Sequence, residues 1–348
     1  MMPFSPTAGA VYAAAFVIAI AVSALGTPLI VRLALRLGIV DNGGEERRMH
    51  ALPKPRIGGI AVFFGFAFAL FTVLGVSLAP PFALVPAAEQ FDAVHKLVGL
   101  LFGGLLILGV GIWDDVMQMR PRNKLIAQIV VALISMFYGF VIPGINNPFD
   151  RNAGTNWIDF PLWLGVPLTL LWYVGMMNAI NFLDGLDGLL AGVAAISSVF
   201  LFVISALHGS PVVALVVIAL AGAALGFLPY NFNPARIILG DAGSLFIGYV
   251  FATVSIIGAS KTAIAISVVV PLLVLALPVL DTAAAIVRRA TTGKRITEAD
   301  RGHFHHQLIF RFGLNVRQAV LLLYAVCFVL GAVALAFSGQ FTHVFRHA

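Results

Sequence analysis

The chain has 348 residues, of which 60% are hydrophobic and only 10% charged, and its mean hydropathy is +1.01. Soluble domains carry about 25% charged residues, so a water-soluble enzyme, a disordered tail and a nucleic-acid binder are excluded: one core could not bury this much apolar surface. The net charge of +6 is therefore read by location, and the one cysteine, Cys327, lies in an apolar run and leaves no disulfide framework or cysteine metal site.

A membrane-crossing helix needs about 20 mostly apolar residues. Ten such windows follow one another, at 9–37, 57–79, 96–113, 123–142, 161–180, 188–207, 211–228, 243–259, 263–287 and 318–337. The expected fold is an all-α, polytopic integral membrane protein, with a single transmembrane domain over residues 1–348. No basic residue precedes the first window, which is also too long for a cleaved signal peptide. With the N-terminus outside, 17 of the 21 basic residues fall on inner loops and helix ends, and only Lys96, Arg151, Lys261 and Arg346 do not. The positive-inside rule selects that orientation and makes both termini extracytoplasmic. Of the 15 acidic residues, 11 share the inner face. Acids count for little in topology, so their gathering there needs a different cause.

Along the chain, the first inner loop reads DNGGEERRMHALPKPRIGG (Asp41 to Gly59) and carries Lys54 and Arg56. The third window ends in GIWDDVMQMRPRNK, bringing Asp114 and Asp115 to the membrane boundary with Lys124 just beyond. The fifth runs into NAINFLDGLDGL, with Asn178, Asn181, Asp184 and Asp187, and the seventh into YNFNPARIILGDAGS, with Asn231, Asn233 and Asp241. The long inner loop 288–317 contains DRGHFHHQL, with Arg301, His303, His305 and His306. The outer loops, such as NNPFDRNAGTNWID, are ordinary turn material.

Carboxylates near a bilayer are costly and are functional candidates by default. Any one of them has a plainer reading: Asp184 or Asp187, each before a glycine, is suited to cap the sixth helix. Five at helix ends of one face would repel one another unless a cation lay among them. A hard divalent ion such as Mg²⁺ fits, since it takes oxygen ligands and keeps phosphate and water in its shell. The histidines could hold a transition metal, but their Asp- and Arg-rich setting suits a phosphorylated, Mg²⁺-bound substrate better. The plain alternative is a basic loop facing anionic lipid. Gly58, Gly59, Gly185, Gly188, Gly240 and Gly243 would let backbone amides approach an anion, although glycine is common in membrane helices anyway.

Taken in order and on one side, RRMHALPKPRIGG, the WDD pair, NAINFLDGLDGLLAG with GDAGS, and DRGHFHHQL resemble the polyprenyl-phosphate N-acetylhexosamine-1-phosphate transferases, glycosyl transferase family 4. The likeness runs through residues 10–337. It implies an active site on the cytoplasmic face of the plasma membrane, with Asp241 as ligand of Mg²⁺ (Mn²⁺ as a substitute) and Asp115 beside it. Asp114 and Asp115 match the essential pair, one of which deprotonates or positions the lipid phosphate. Asn181, Asp184 and Asp187 match the nucleotide-sugar segment, and His303, His305 and His306 a motif near the diphosphate and sugar. Lys54, Arg56, Lys124, Asn178, Asn231 and Arg301 are expected to bind substrate. The partners implied are a UDP-N-acetylhexosamine, a polyprenyl phosphate and a second copy of the chain in a homodimer.

Two positions depart from the family. Val116, Met117 and Gln118 follow Asp115, so the third acidic residue of some members is missing, and Ile238 stands where an aromatic often lies, leaving Phe232 as the substitute stacking partner. DRGHFHHQL resembles the members that use UDP-N-acetylglucosamine or a related hexosamine, whereas the peptidoglycan members usually carry a PIHHHFE-like sequence. The expected reaction moves N-acetylglucosamine-1-phosphate, or a related N-acetylhexosamine-1-phosphate, from the UDP-sugar to polyprenyl phosphate and releases UMP. The alternatives are a phospho-N-acetylmuramoyl-pentapeptide transferase, a transporter with polar groups at the bilayer midplane, and an inactive scaffold that has lost part of the Asp or His set.

Overall fold

The structure, a computed structural model, describes residues 6–41, 54–77, 82–146, 157–259 and 308–346. Arg301, His303, His305, His306 and the ninth window, 263–287, lie outside the described residues. The helices are α1 (Pro6–Leu37), α2 (Gly59–Ser77), α3 (Gln90–Met117), α4 (Pro121–Phe137), α5 (Leu162–Leu183), α6 (Leu189–Leu207), α7 (Pro211–Asn231), α8 (Gly240–Ala259) and α9 (Val316–Arg346). Two short antiparallel pairs join loops at the ends of the bundle. β1 (Val40–Asp41) pairs with β2 (Lys54–Pro55), and β3 (Gly144–Asn146) pairs with β4 (Trp157–Asp159) with Ile145 opposite Ile158.

Each of the other nine windows coincides with one of these helices. Among the described residues, eight helices, all except α4, are long and apolar enough to cross a membrane. Helices suit that setting because they satisfy their own backbone hydrogen bonds where water is absent. Several boundaries differ from expectation: α3 begins at Gln90 rather than 96, α9 runs on to Arg346 rather than 337, and α5, α7 and α8 are each longer by three residues at the inner end. Helix α3 continues past residue 113 to Met117, so Asp114 and Asp115 occupy its last turns. Helix α4 stops at Phe137 rather than 142, because Gly139 takes φ 83° and its amide turns back to the Met136 carbonyl at 3.0 Å, the left-handed stop that glycine permits.

Helix α8 is the centre of the bundle, packed between α3 and α5 with α2 on a further side. Of its apolar window 94% is buried, against 22% for α1 and 28% for α9. Helix α7 packs against α1, α2 and α6, and α9 lies on α6. Inside the bundle, Tyr173 and Thr253 share a hydrogen bond at 2.9 Å, and Ser135 and Tyr249 share one at 3.0 Å, tying α5 and α4 to α8.

Small residues let α8 approach its neighbours at the end where the acids gather. A Cβ on Gly111 would lie 2.5 Å from the Asp241 carbonyl and the Ala242 amide nitrogen, and one on Gly59 would collide with the Gly243 backbone. Backbone cannot yield as a side chain does. Gly111→Ala is therefore expected to destabilise the protein by about 1–3 kcal/mol through overpacking, read as a lower thermal unfolding midpoint in detergent, while the same change at Gly109, which has open space around it, does not lower the midpoint.

Candidate active site

The chain order brings the C-terminal ends of α1, α3, α5 and α7 and the N-terminal ends of α2, α4, α6 and α8 to one face. The described residues of the predicted polar segments lie at these ends, on the face that the basic residues mark as inner.

At its centre is the first turn of α8. Gly240 takes φ 74°, and a Cβ there would strike the Arg56 carbonyl and lie 2.5 Å from Asp115 Oδ2. This close approach lets the Asp115 carboxylate cap the helix from α3: the Asp241 amide donates to Oδ1 at 2.9 Å and the Ala242 amide to Oδ2 at 3.0 Å. The Arg56 guanidinium stands 3.6 Å away. A carboxylate at a helix N-terminus is favoured both by the orphan amides and by the helix dipole.

Asp241 follows on the same turn. Its Oδ1 accepts a hydrogen bond from Asn181 Nδ2 at 2.6 Å, and its Oδ2 one from Lys124 Nζ at 2.9 Å. Asn181 Nδ2 also donates to Ser244 Oγ at 2.7 Å, and Asn181 Oδ1 accepts from Lys124 at 3.4 Å. Lys124 Nζ lies 2.9 Å from Asp114 Oδ2 as well. Asp114 Oδ1 is held in turn by the Met119 amide at 2.7 Å, in the turn that ends α3. One ammonium therefore joins carboxylates from α3 and α8 and an amide from α5.

Asp184 ends α5 beside this group. Burial foremost, then the carboxylates of Asp241 and Asp115, push its carboxyl up to about 8, against the pull of Arg56 and the Gly240 amide. Among the described residues, the cations that face Asp114, Asp115, Asp184 and Asp241 are Lys124 and Arg56. Fully ionised, the cluster carries two negative charges in excess. Among the described residues, no three carboxylates or histidines already converge as a closed cation cage.

Asp187 serves a different purpose. It is 5% exposed and receives Lys54 Nζ at 2.8 and 3.1 Å, Asn233 Nδ2 at 3.1 Å and the Ala235 amide at 3.0 Å. It thus ties β2, the α5–α6 turn and the α7–α8 loop together. Asn231 works beside it, accepting from the Gly188 amide at 3.1 Å and donating to the Ile237 carbonyl at 2.9 Å. The α9 side joins through Arg317 Nε, which donates to the Asn233 carbonyl at 2.9 Å, and Tyr324, whose hydroxyl donates to the Gly188 carbonyl.

Residues 97–259 match the model of glycosyl transferase family 4. A probable undecaprenyl-phosphate N-acetylglucosaminyl 1-phosphate transferase of Bacillus subtilis is 34% identical over 322 residues, 92% of this chain and 83% of that protein. The chain belongs to glycosyl transferase family 4. Also similar to this transferase are a decaprenyl-phosphate N-acetylglucosaminephosphotransferase of Mycobacterium tuberculosis, 34% identical over 84% of this chain and 74% of its own, and a phospho-N-acetylmuramoyl-pentapeptide-transferase of Oceanobacillus iheyensis, 30% identical over 85% and 87%.

Of the residues singled out from sequence, the transferase brings Asp114, Asp115, Asp184, Asp241, Lys124, Asn181 and Arg56 into one cluster. Lys54 and Asp187 are paired with each other, Asn231 is spent on backbone, and Asn178 lies one turn deeper on α5, bonded to Gln128. The side-chain caps read for Asp184 and Asp187 are not made: the cap residue of α6 is Gly188, without a side-chain bond. The Gly58 and Gly59 amides are not open to an anion, since they donate to the carbonyls of Ile238 and Leu239 at 3.0 and 2.8 Å. Phe232 packs against Gly188. Sequence reasoning missed Ser244, whose signal was its position three residues after Asp241 on one helix face, and Asn233, quoted but given no role.

The Lys54–Asp187 pair makes a stability prediction. Breaking a buried pair by removing one partner costs about 3–5 kcal/mol because the other charge is left uncompensated. Lys54→Met is expected to lose that much, which a detergent unfolding curve at neutral pH detects. An unfolding midpoint equal to the parent protein's would contradict the assignment.

Proposed function

We propose that the protein transfers N-acetylglucosamine-1-phosphate, or a related N-acetylhexosamine-1-phosphate, from its UDP-sugar to a polyprenyl phosphate such as undecaprenyl phosphate, releasing UMP. The reaction takes place at the cytoplasmic face of a bacterial plasma membrane as the first membrane step of a cell-envelope glycan. The observation that carries this reading is the mixed-charge cluster at the start of α8, with Lys124 held between Asp114 and Asp241 on the basic face of the bundle. The names of the relatives support it. A transporter would want its carboxylates near the midplane, and the described ones of the inner cluster stand at helix ends.

The lipid phosphate oxygen forms a bond to the β-phosphorus of the UDP-sugar, the bond from that phosphorus to the bridging oxygen breaks, and UMP departs with its electron pair. Both substrates are anions, so the main demands are charge neutralisation and in-line positioning. Arg56 and Lys124 supply positive charge beside the cluster, with the side chain of Arg56 32% exposed and so available to a phosphate. The phosphate nucleophile is already largely ionised at neutral pH, and Asp114 or Asp115 has only to position it. Direct displacement is therefore favoured over an aspartyl-phosphate route.

The donor set suits Mg²⁺, with Mn²⁺ as a substitute: the ligands are hard oxygens, and the cation would favour the ionised form of the crowded carboxylates. Asp241 and Asp184 would hold it, with Asp115 bracing Asp241 through the backbone. When bound, the ion offsets charge on the diphosphate and on departing UMP. Arg301, His303, His305 and His306 join from the long inner loop on the strength of the resemblance, as does pairing into a homodimer. The second reading, a phospho-N-acetylmuramoyl-pentapeptide transferase, keeps its place through the relatives that carry that name.

The test is UMP release by detergent-purified protein given undecaprenyl phosphate, Mg²⁺ and, in turn, UDP-N-acetylglucosamine, UDP-N-acetylgalactosamine and UDP-muramoyl-pentapeptide. Release that needs lipid and Mg²⁺ and is fastest with UDP-N-acetylglucosamine is expected. Release from the pentapeptide substrate alone selects the second reading, and none from any sugar by folded protein contradicts both.

A further inference from the structure

Beneath the carboxylate cluster, the contact between α4 and α5 carries a second polar rung. Gln128 lies four residues after Lys124 on α4, and Asn178 three residues before Asn181 on α5. Residues three or four apart share a helix face, so Lys124–Asn181 and Gln128–Asn178 stack along the same seam. Asn178 Nδ2 donates to Gln128 Oε1 at 2.9 Å and to the Val174 carbonyl of its own helix at 2.8 Å. Gln128 is only 1% exposed, and its Nε2 finds no acceptor among the described residues.

A buried amide N–H without a partner is unfavourable, and a leucine of similar size would avoid the cost. The retained amide needs a reason, which the setting of α4 supplies. This helix has its main contacts with α3 and α5 and turns Leu125, Ile126, Val130, Leu133 and Phe137 outward. Apolar side chains against lipid do little to fix a helix's rotation, because lipid tails are as apolar as the side chains themselves. Yet Lys124 Nζ must lie 2.9 Å from both Asp114 and Asp241.

We propose that Gln128 is a positioning residue of the transferase: its hydrogen bond to Asn178 fixes the rotation of α4 against α5 and so holds Lys124 between the two carboxylates. Asn178, expected from sequence to bind substrate, acts with Gln128 instead. The catalytic part of this inference rests on the proposed transferase reaction, and the geometric part does not.

The experiment compares full-length wild type with Gln128→Leu, Asn178→Leu and the exchanged pair Gln128→Asn with Asn178→Gln, all purified in detergent. It reads kcat, KM for UDP-N-acetylglucosamine, the unfolding midpoint, and the rate at which an amine-reactive reagent labels Lys124, followed by peptide mass spectrometry. Gln128→Leu is expected to lower kcat about ten-fold with KM changed less than about two-fold, to leave the unfolding midpoint in place, and to speed labelling of Lys124 several-fold. The exchanged pair, which keeps one long and one short amide facing each other, recovers most of the lost kcat and slows labelling again. Wild-type kcat and wild-type labelling in Gln128→Leu overturn the proposal, as does an exchanged pair no better than the single changes in protein that remains folded. An inactive wild type counts against the transferase reading, and the labelling rates still decide the role of Gln128.

Discussion

Asp241→Asn is expected to reduce turnover by about a hundred-fold to a thousand-fold, the cost of removing one preorganised charge from a site that works by electrostatics. The substitution is nearly isosteric and should leave the bundle folded. Its amide cannot satisfy both neighbours, however: Oδ1 accepts from Asn181 and Oδ2 from Lys124, so the new NH₂ group must face a donor. It also removes one of the negative charges that face Lys124 and Arg56. Initial rates of UMP release at saturating substrates measure the effect, with the thermal unfolding midpoint as the control. A variant within ten-fold of the parent rate would mean that Asp241 does not act at the reacting phosphates.

Asp115→Asn is expected to damage stability and activity together. Both Asp115 oxygens accept amides from the first turn of α8; with Asn one of those amides meets an NH₂ group, and the charge that complements the helix dipole is lost. Hydrogen bonds to charged groups contribute about 1.5–3 kcal/mol, so the unfolding midpoint should fall measurably. The rate should fall as well, because Asp241 is the residue whose amide Asp115 holds. Asp115→Glu should not rescue either loss, since its extra methylene has no room beside Gly240, where the approach is already close. A normal midpoint with a lost rate would instead assign Asp115 a direct part in the chemistry.

The helical architecture was legible because membrane spans announce themselves by composition alone, and the inner face because Arg and Lys are distributed so unequally. The acids that cluster at the start of α8 were legible for the same reason: carboxylates at helix ends are costly unless used. What each one does was less legible. Asp115 and Asp187 look alike in sequence, yet one caps α8 from another helix and the other neutralises Lys54 and gathers three segments. Such partners are 126 and 133 residues apart in the chain, a separation that no local pattern encodes. Gln128 was silent because a lone glutamine in an apolar helix carries no periodic signal. The end of α4 was misjudged because hydrophobicity continues past Gly139 while the backbone turns there.

The measurement that tests the account most directly follows the phosphate itself. UDP-N-acetylglucosamine carrying ³²P at the β-position is incubated with the purified protein, undecaprenyl phosphate and Mg²⁺, and the label is partitioned between organic and aqueous phases. Label is expected to move into the lipid phase in step with unlabelled UMP, and Asp241→Asn and Lys124→Met are expected to suppress both. Label that stays in water while UMP forms would mean simple hydrolysis of the nucleotide sugar and would contradict transfer to the lipid.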